Sequence, residues 1–444
     1  MYTNKHVRTG LCAVLICAVV ALLSGAAQAQ TVFTMQQAVE RALSDNPGMK
    51  AARHNLLGAE EGRKSVRGTF GPTASVTYGY TLKDHLKPTR ELATSDSKLF
   101  ATTFNAHQNL FAGFSTLSAY PKAQLTKEST EFAMTQTELT VIGTVQQNYL
   151  ALLKARQDVL SAKDSLARLE DQLKVTTAFY DVGLKPRLDV LQAEVDLATA
   201  QDALLLAKNN VDTQVARLNT LLDLDLNADV TYEGGLAYAP CTLSLDEAVA
   251  MALVQRPDLQ VARKSVEIAA KDKKITDSAF YPSVGADFDW SSAGTGPEAA
   301  GSDRLKTEYS QWSASVGASW TFWEWGKTYY ASKQADEQIK SLLQTEQETR
   351  QNALYEVKAN HLAIRKAEES IKVNRKALEA AAEGYRMAVA RYQAQVGTNT
   401  DVLDAQDRLT KAEAGLTAAL ADYQIAMSKL YVAIGRKNEA LVSN

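Results

Sequence analysis

The chain has 444 residues, with 48 Lys and Arg against 51 Asp and Glu, a formal net charge of −3. This weak acidic balance gives no reason to expect a nucleic-acid partner. Cys12 and Cys17 lie in an N-terminal apolar run, so Cys241 alone can form neither an intrachain disulfide nor a cysteine-based zinc site. Only nine residues are proline, which predicts long uninterrupted elements.

Residues 1–29 have the pattern of a cleaved secretory signal. Lys5 and Arg8 form a basic lead, Leu11 to Leu23 is apolar, and Ala27-Gln28-Ala29 is an A-x-A cleavage site. The apolar run is too short to span a bilayer, and its cysteines do not stand where a lipoprotein signal requires one. We therefore expect export without a lipid anchor. Helical membrane spans are not expected, because no run of about eighteen apolar residues follows.

The rest of the sequence contains two similar halves, about 210 residues apart. A shift of 210 aligns 34–80 with 244–290 without a gap, and a shift of 212 carries Asp189-Val190-Leu191 onto Asp401-Val402-Leu403. This period is far longer than that of a solenoid, so it indicates a duplicated half-molecule. The predicted division is a first repeat over 30–222, a connection over 223–243, a second repeat over 244–436 and a tail over 437–444.

Each repeat is predicted to contain an initial helix and then two strands. Apolar and polar residues alternate clearly over 73–82, 283–290 and 309–322, and more weakly over 100–110. The aromatic residues Trp320, Phe322, Trp323 and Trp325 gather at one strand end. Such strands, with aromatics near their ends, are typical of a transmembrane β-barrel. A soluble β-sandwich with one wet face is the alternative.

The remainder of each repeat is predicted to be helical. Nearly proline-free segments predict long helices over 115–180 and 327–392, followed by second helices over 189–222 and 401–434. In both second helices, apolar residues recur at steps of three and four, which predicts coiled-coil packing. The seam residues are Val190, Ala193, Leu197, Ala200, Leu204, Ala207, Val211, Val215, Leu218 and Leu222, and then Val402, Ala405, Leu409, Ala412, Leu416, Ala419, Tyr423, Met427, Leu430 and Ile434.

Four strands cannot close a membrane barrel, and an open sheet edge is not viable in lipid. The sequence therefore predicts an oligomer, in which two copies would supply eight strands and three copies twelve. An eight-stranded barrel is filled by its own side chains. The small polar residues on one strand face suit a wet interior, which favours the trimer.

Short motifs flank the predicted strands. Phe70–Pro72 and Phe280–Pro282 precede the first strand of each repeat, and Leu110–Gly113 and Phe322–Gly326 close the second. With the export signal and two half-repeats of strand, strand, long helix and helix, the whole mature chain resembles the TolC family of outer-membrane efflux and secretion channels. The resemblance implies a mainly α-helical homotrimer. Its twelve-stranded barrel would lie in outer-membrane lipid, and its long coiled-coil tunnel would cross the periplasm.

The resemblance also implies partners and a function. A periplasmic adaptor (membrane fusion) protein and an inner-membrane ABC, RND or MFS transporter would dock at the tip of the tunnel and open it. The chain would then be the passive exit duct of a tripartite efflux or type I secretion system. An exported coiled-coil scaffold, or a general porin without a pump partner, is the alternative.

The family's paired constriction aspartates correspond to Asp401 and Asp404, in "VGTNTDVLDAQ" over 396–406. At spacing i, i+3 the two carboxylates share one helix face. Threefold symmetry would gather them into a ring that attracts cations and raises some of their pKa values. Asp189 corresponds to the acidic member of the family's closing link at the tip. Helix capping, which favours aspartate at a helix start, is the simpler explanation for Asp189 and Asp401.

Two turns, Val182-Gly183-Leu184 and Val396-Gly397-Thr398, resemble those that contact the adaptor in the family. A glycine C-cap would explain Gly183 and Gly397 without any partner. Counted from Gly397, Asn399 stands where the family has its link arginine. A salt bridge from Asp189 to that position is therefore not expected, and Arg391 is the alternative cation.

An exported enzyme is the main alternative class. The five histidines are scattered, and the sequence contains no H-E-x-x-H, no G-x-S-x-G and no glycine-rich phosphate loop. We therefore expect no catalytic residue, no metal site and no cofactor.

Overall fold

The computed structural model describes residues 31–83, 97–228, 230–294, 297 and 309–438. The predicted signal and most of the predicted tail lie outside these residues. The elements in chain order are β1 (Thr31–Phe33), α1 (Met35–Asp45), α2 (Pro47–Gly68), β2 (Thr73–Lys83), β3 (Ser97–Ala112), α3 (Ser115–Asp181), α4 (Arg187–Leu221), β4 (Val230–Tyr232), α5 (Leu245–Gln255), α6 (Pro257–Asp277), β5 (Ser283–Gly294), β6 (Tyr309–Ser319), α7 (Lys327–Gln393) and α8 (Asn399–Ala433).

The long helices have equal lengths in the two repeats. Helices α3 and α7 each contain 67 residues, and α4 and α8 each contain 35. Helices α4 and α8 begin two residues before the predicted 189 and 401, because their caps are Pro186 and Thr398. None of the twenty predicted seam residues is exposed. No helix in the described part of the chain is long and apolar enough to cross a membrane.

Four strands form one antiparallel sheet in the order β2-β3-β5-β6. Of the two central strands, β3 belongs to the first repeat and β5 to the second. The β3–β5 ladder therefore joins the two repeats. The outer strands β2 and β6 each have one side without a partner strand among the described residues. A second, two-stranded parallel sheet pairs β1 with β4.

Two strands differ from their predicted extent. Strand β6 was expected over 309–322 but ends at Ser319, because Ser319 pairs with Ser283, the first residue of β5. Strand β3 extends beyond the predicted 100–110, and its register against β5 shifts between Asn109 and Phe111. This bulge brings Phe111, in place of the predicted Leu110, opposite the apolar Val284.

The chain divides into two compact units, and each draws residues from both predicted repeats. The first unit comprises Met1–Lys50, Glu138–Ala252 and Glu356–Asn444. It contains two hydrophobic clusters, one around Tyr149, Leu218 and Tyr232 and one around Tyr423 and Leu430. The cluster members Leu218 and Leu430 are 212 residues apart, so the core is duplicated together with the sequence.

The second unit comprises Ala51–Thr137 and Leu253–Tyr355 and contains the four-stranded sheet. Its helices are joined by ion pairs across neighbouring elements. Examples are Lys122 with Asp272 at 2.5 Å, between α3 and α6, and Lys273 with Asp336 at 3.7 Å, between α6 and α7. Both hydrophobic clusters of the described residues belong to the first unit.

Candidate site at the two helix-connecting turns

Residues 182–186 connect α3 to α4, and residues 394–398 connect α7 to α8. Both first helices end in a Schellman motif, in which two backbone amides close the last turn. The bonds are Leu184 N to Phe179 O and Gly183 N to Tyr180 O in the first turn, and Val396 N to Arg391 O and Gln395 N to Tyr392 O in the second. The left-handed position is Gly183 (φ 77°) in the first turn and Gln395 (φ 63°) in the second.

Gly183 therefore corresponds to Gln395, at a shift of 212, and the predicted match between the V-G-L and V-G-T turns is offset by two residues. A C-cap accounts for Gly183 but not for Gly397. At Gly397 an added Cβ would lie 3.2 Å from the Cβ of Arg391. Glycine at 397 thus lets the turn approach the end of α7 closely.

The two second helices begin differently. Thr398 is the N-cap of α8, and it forms a capping box in which Asp401 Oδ2 accepts from Thr398 N at 2.9 Å. Pro186 caps α4 without a side-chain hydrogen bond. Capping therefore accounts for Asp401, as the third residue of the box, whereas the side chain of Asp189 caps nothing among the described residues.

The capping box favours the ionised form of the Asp401 carboxyl. Hydrogen bonds from the backbone amide and side chain of Thr398 lower the pKa of this carboxyl, and the positive charge of Arg391 lowers it further. Within one protomer the pKa of Asp401 is therefore lowered, whereas repulsion between paired carboxylates would raise it.

A raised pKa is found instead on the neighbouring helix. Burial raises the pKa of Asp196 on α4, and the negative charges of Asp404 and Asp407 on α8 raise it further. Lys411 pairs with Asp407 at 2.6 Å. Asp404 is exposed, and within the protomer its negative charge acts on the carboxyl group of Asp196.

Asn399, at the position expected for a link arginine, is buried, with 1% of its surface exposed. Its Oδ1 accepts from Gln172 Nε2 at 2.8 Å and from Thr176 Oγ1 at 3.3 Å, both on α3. Its Nδ2 donates to the backbone carbonyl of Asp189 on α4 at 3.1 Å. A single neutral amide therefore connects α3, α4 and α8, and Asp189 takes part through its main chain.

Two further side chains bring the second turn and α7 into this network. The hydroxyl of the buried Tyr392 donates to Thr176 Oγ1 at 3.2 Å. Lys185 Nζ donates to the carbonyl of Gly397 at 3.2 Å and lies 5.0 Å from the centre of the Tyr392 ring, in cation–π contact. All four long helices are thus held together at their turn ends.

Polar contacts continue along the α3–α8 interface away from the turns. Ser165 Oγ accepts from Gln406 Nε2 at 3.0 Å, and Arg168 pairs with Glu413 at 3.2 Å. We call this set, from Asn399 with Gln172 to Arg168 with Glu413, the polar seam. Further along the same pair of helices, Ser428 Oγ on α8 donates to Gln146 Oε1 on α3 at 2.8 Å, whereas the apolar cluster around Tyr149 joins α3 to α4.

The family model for outer membrane efflux proteins matches residues 38–223 and 248–436, most of the chain. The chain belongs to the outer membrane efflux protein family. The family and the outer-membrane location predicted from the sequence are therefore confirmed.

Individual relatives support the same family. The outer membrane protein TolC of Vibrio cholerae serotype O1 is 24% identical over 410 residues, which are 90% of this chain and 90% of TolC. The outer membrane efflux protein BepC of Brucella suis biovar 1 is 24% identical over 428 residues, 96% of this chain and 91% of BepC. The CmeC outer membrane channel of Campylobacter jejuni has the same fold, with a TM-score of 0.80 at 17% identity, over 90% of this chain and 85% of CmeC. The predicted mainly helical fold is confirmed, while barrel closure and the trimer stay predictions.

The turn residues of this efflux-family chain are open to a partner. Val182 is 69% exposed, Leu184 50% and Val396 67%, which is unusual for aliphatic side chains. Gly183 and Thr398 are also exposed, and Gly397 is half-buried. In the described part of the chain, no group of three or more His, Cys, Asp or Glu could hold a metal ion.

The sequence reasoning missed Gln172, Thr176 and Asp196 at this site, and it also missed the structural role of Asn399. A signal was present for some of them. Ser161, Ser165, Gln172 and Thr176 recur on α3 at helical spacings and are all buried, as are Asn399, Gln406 and Thr417 on α8. Polar residues at seam spacing are a sign of buried hydrogen bonds between helices.

Replacing Asp196 with Asn should stabilise the protein near neutral pH. The pKa of Asp196 is raised by folding, so its ionised form destabilises the folded state above that pKa. As the pH falls through the folded-state pKa towards the ordinary aspartate range, the wild type regains this stability, and the advantage of Asp196→Asn disappears. Thermal unfolding as a function of pH measures both effects. Asp202→Asn, an exposed position on the same helix, should show neither; equal curves for Asp196→Asn and the wild type would contradict the assignment.

Proposed function

We propose that this chain is the outer-membrane exit duct of a tripartite efflux or type I secretion system. It is a passive conduit, opened at its helical turns when a periplasmic adaptor and an inner-membrane ABC, RND or MFS transporter dock. The observation that carries the proposal is a sheet with one apolar face, one polar face and two open edges. Such a sheet becomes a pore when copies join edge to edge.

The edges of the sheet lack the features that normally prevent edge pairing. Strand β6, "YSQWSASVGAS", contains neither a charge nor a proline, and the one charge of β2 is Lys83, at its end. The apolar face carries exposed side chains such as Val76, Trp312 and Val316. A closed barrel would place this face in lipid and pair both edges, which an unpaired sheet in a bilayer cannot do.

The helices also present surface for further copies. Helix α8 has fourteen buried residues, whereas α4, of the same length, has four. On α4, a second apolar stripe lies beside the seam and is exposed, formed by Leu188, Leu191, Val195 and Leu205. Its spacing suits another helix. With three copies giving twelve strands, this stripe supports a homotrimer.

The purified mature protein is therefore expected to be a trimer in mild detergent. Leu188→Glu combined with Val195→Glu should shift it towards the monomer, because two charges would enter the proposed helix interface. Mass measurement by light scattering reports the state. Gln201→Glu, at an exposed polar position of the same helix outside the apolar stripe, is the matched control. A monomeric wild type would rule out the barrel proposed here.

The polar seam supports opening at the turns. A typical protein hydrogen bond contributes only about 0.5–1.5 kcal/mol net, because water replaces it when the partners separate. Apolar contacts, such as those of α3 with α4 around Tyr149, have no such replacement. Separation of α8 from α3 at the turns therefore costs less than separation of α3 from α4 in that cluster, and Val182, Leu184 and Val396 would contact the adaptor at the turns.

Asn399→Ala should favour the open state. The substitution leaves Gln172 and Thr176 without a partner on α8 in the closed state. An unsatisfied buried group costs about 1–3 kcal/mol, roughly a 5- to 150-fold shift in the equilibrium. Conductance of single channels in planar bilayers should rise. Thr400→Ala, the next and exposed residue, is the control. A closed-state conductance equal to that of the wild type would show that this amide does not hold the turns together.

We further propose that Asp404 and Asp401 line the constriction, with Asp404 the more available charge because Asp401 is engaged by Thr398. The double variant Asp401→Ala, Asp404→Ala should have a larger conductance and weaker block by multivalent cations, since the ring loses its negative charge. Asp404→Ala alone should produce most of the change. Asp202→Ala serves as the control, and recordings unaffected by the double substitution would remove the constriction assignment.

A further inference from the structure

One face of the four-stranded sheet carries almost only polar and small residues. Alternation and register place them together as Thr73, Ser75 and Thr77 on β2, Thr103, Asn105 and His107 on β3, Gly285, Asp287 and Asp289 on β5, and Ser313, Ser315 and Gly317 on β6. The opposite face carries Val76, Tyr78, Phe288, Trp312 and Val316. If the apolar face meets lipid, the polar face lines the lumen of the barrel.

The carboxylates of this face lie in two neighbouring rows across the sheet. In register, the first row is Thr73, His107, Asp287 and Ser315, and the second is Ser75, Asn105, Asp289 and Ser313. The outer members of both rows, on β2 and β6, are uncharged hydroxyl residues. Lys83 is on the same face but at the far end of β2, opposite Ser97. Asp287 and Asp289 therefore supply the negative charge of the two rows.

Both aspartates are oriented by a neighbour on β3. His107 Nδ1 lies 2.7 Å from Asp287 Oδ1, and Asn105 Nδ2 donates to Asp289 Oδ1 at 2.8 Å. Gly285 makes room for the imidazole, because a Cβ there would lie 2.9 Å from His107 Cε1. The side chains of His107 and Asp287 remain 44% and 37% exposed, so ions and protons can reach them.

We propose that these two rows form a second cation-selective belt, in the barrel lumen, whose negative charge comes from Asp287 and Asp289. This inference rests on the proposed function, since it requires a conduit closed by several copies. Each protomer brings two carboxylates, and rings of carboxylates favour cations in a pore.

The belt can be tested by recording reversal potentials in a potassium chloride gradient across planar bilayers. The background is Asp401→Ala with Asp404→Ala, so that the proposed constriction does not hide the belt. Adding Asp287→Asn and Asp289→Asn should move the reversal potential towards zero at about pH 8, with each single substitution giving part of the shift. Ser313→Ala and Ser315→Ala, uncharged members of the same rows, should leave it unchanged.

Reversal potentials unchanged by Asp287→Asn and Asp289→Asn, in channels that conduct, would overturn the belt alone. Absence of any ion current through the wild-type protein would instead count against the proposed function.

Discussion

Backbone amides and carbonyls cannot stay unpaired in lipid, and this constraint shapes the proposed assembly. The sheet of β2, β3, β5 and β6 is too small to close on itself, and its outer strands have no protection against edge pairing. In the proposed trimer, those edges would pair with edges of other copies. The exposed apolar stripe on α4 would pack against a helix of a neighbouring copy.

The contacts of α3 with its two neighbours differ in character. Around Tyr149, burial of apolar groups holds α3 to α4. Near the turns, hydrogen bonds centred on Asn399 give a unique arrangement but a low cost of separation. An amide does this without the desolvation penalty of a buried charge. The contact at Asn399 is therefore neutral, and Lys185 reinforces it at the surface of the turn.

The sequence was sufficient for features that depend on periodicity. Alternation located the strands, and apolar spacing located the seam on α4 and α8, because both patterns are set by which face is buried. It was insufficient where backbone geometry decides the register. The bulge after Asn109 changes which side chains of β3 face Val284, and nothing in "HQNLFA" announces it. Likewise, Asp196 comes close to Asp404 only through the packing of two helices.

The turns show that matching residue types in two repeats need not occupy matching backbone positions. Left-handed backbone recurs at positions 212 residues apart, yet glycine occupies only one member of each pair: Gly183 against Gln395, Asp223 against Gly435, Gly113 against Trp325, and Phe114 against Gly326. A non-glycine residue pays about 1–2 kcal/mol for this conformation, and the hydrogen bonds of the helix ends offset it at Gln395 and Asp223. Both repeats therefore keep the left-handed backbone conformation at these positions although one of them lacks the glycine, while the side chains differ. Thr398, Asn399 and Asp404 arise in the second repeat alone, where the first has Pro186, Arg187 and Gln192. The two repeats therefore share one backbone scaffold, whereas the capping box, the buried amide of Asn399 and the paired aspartates all lie at the start of α8.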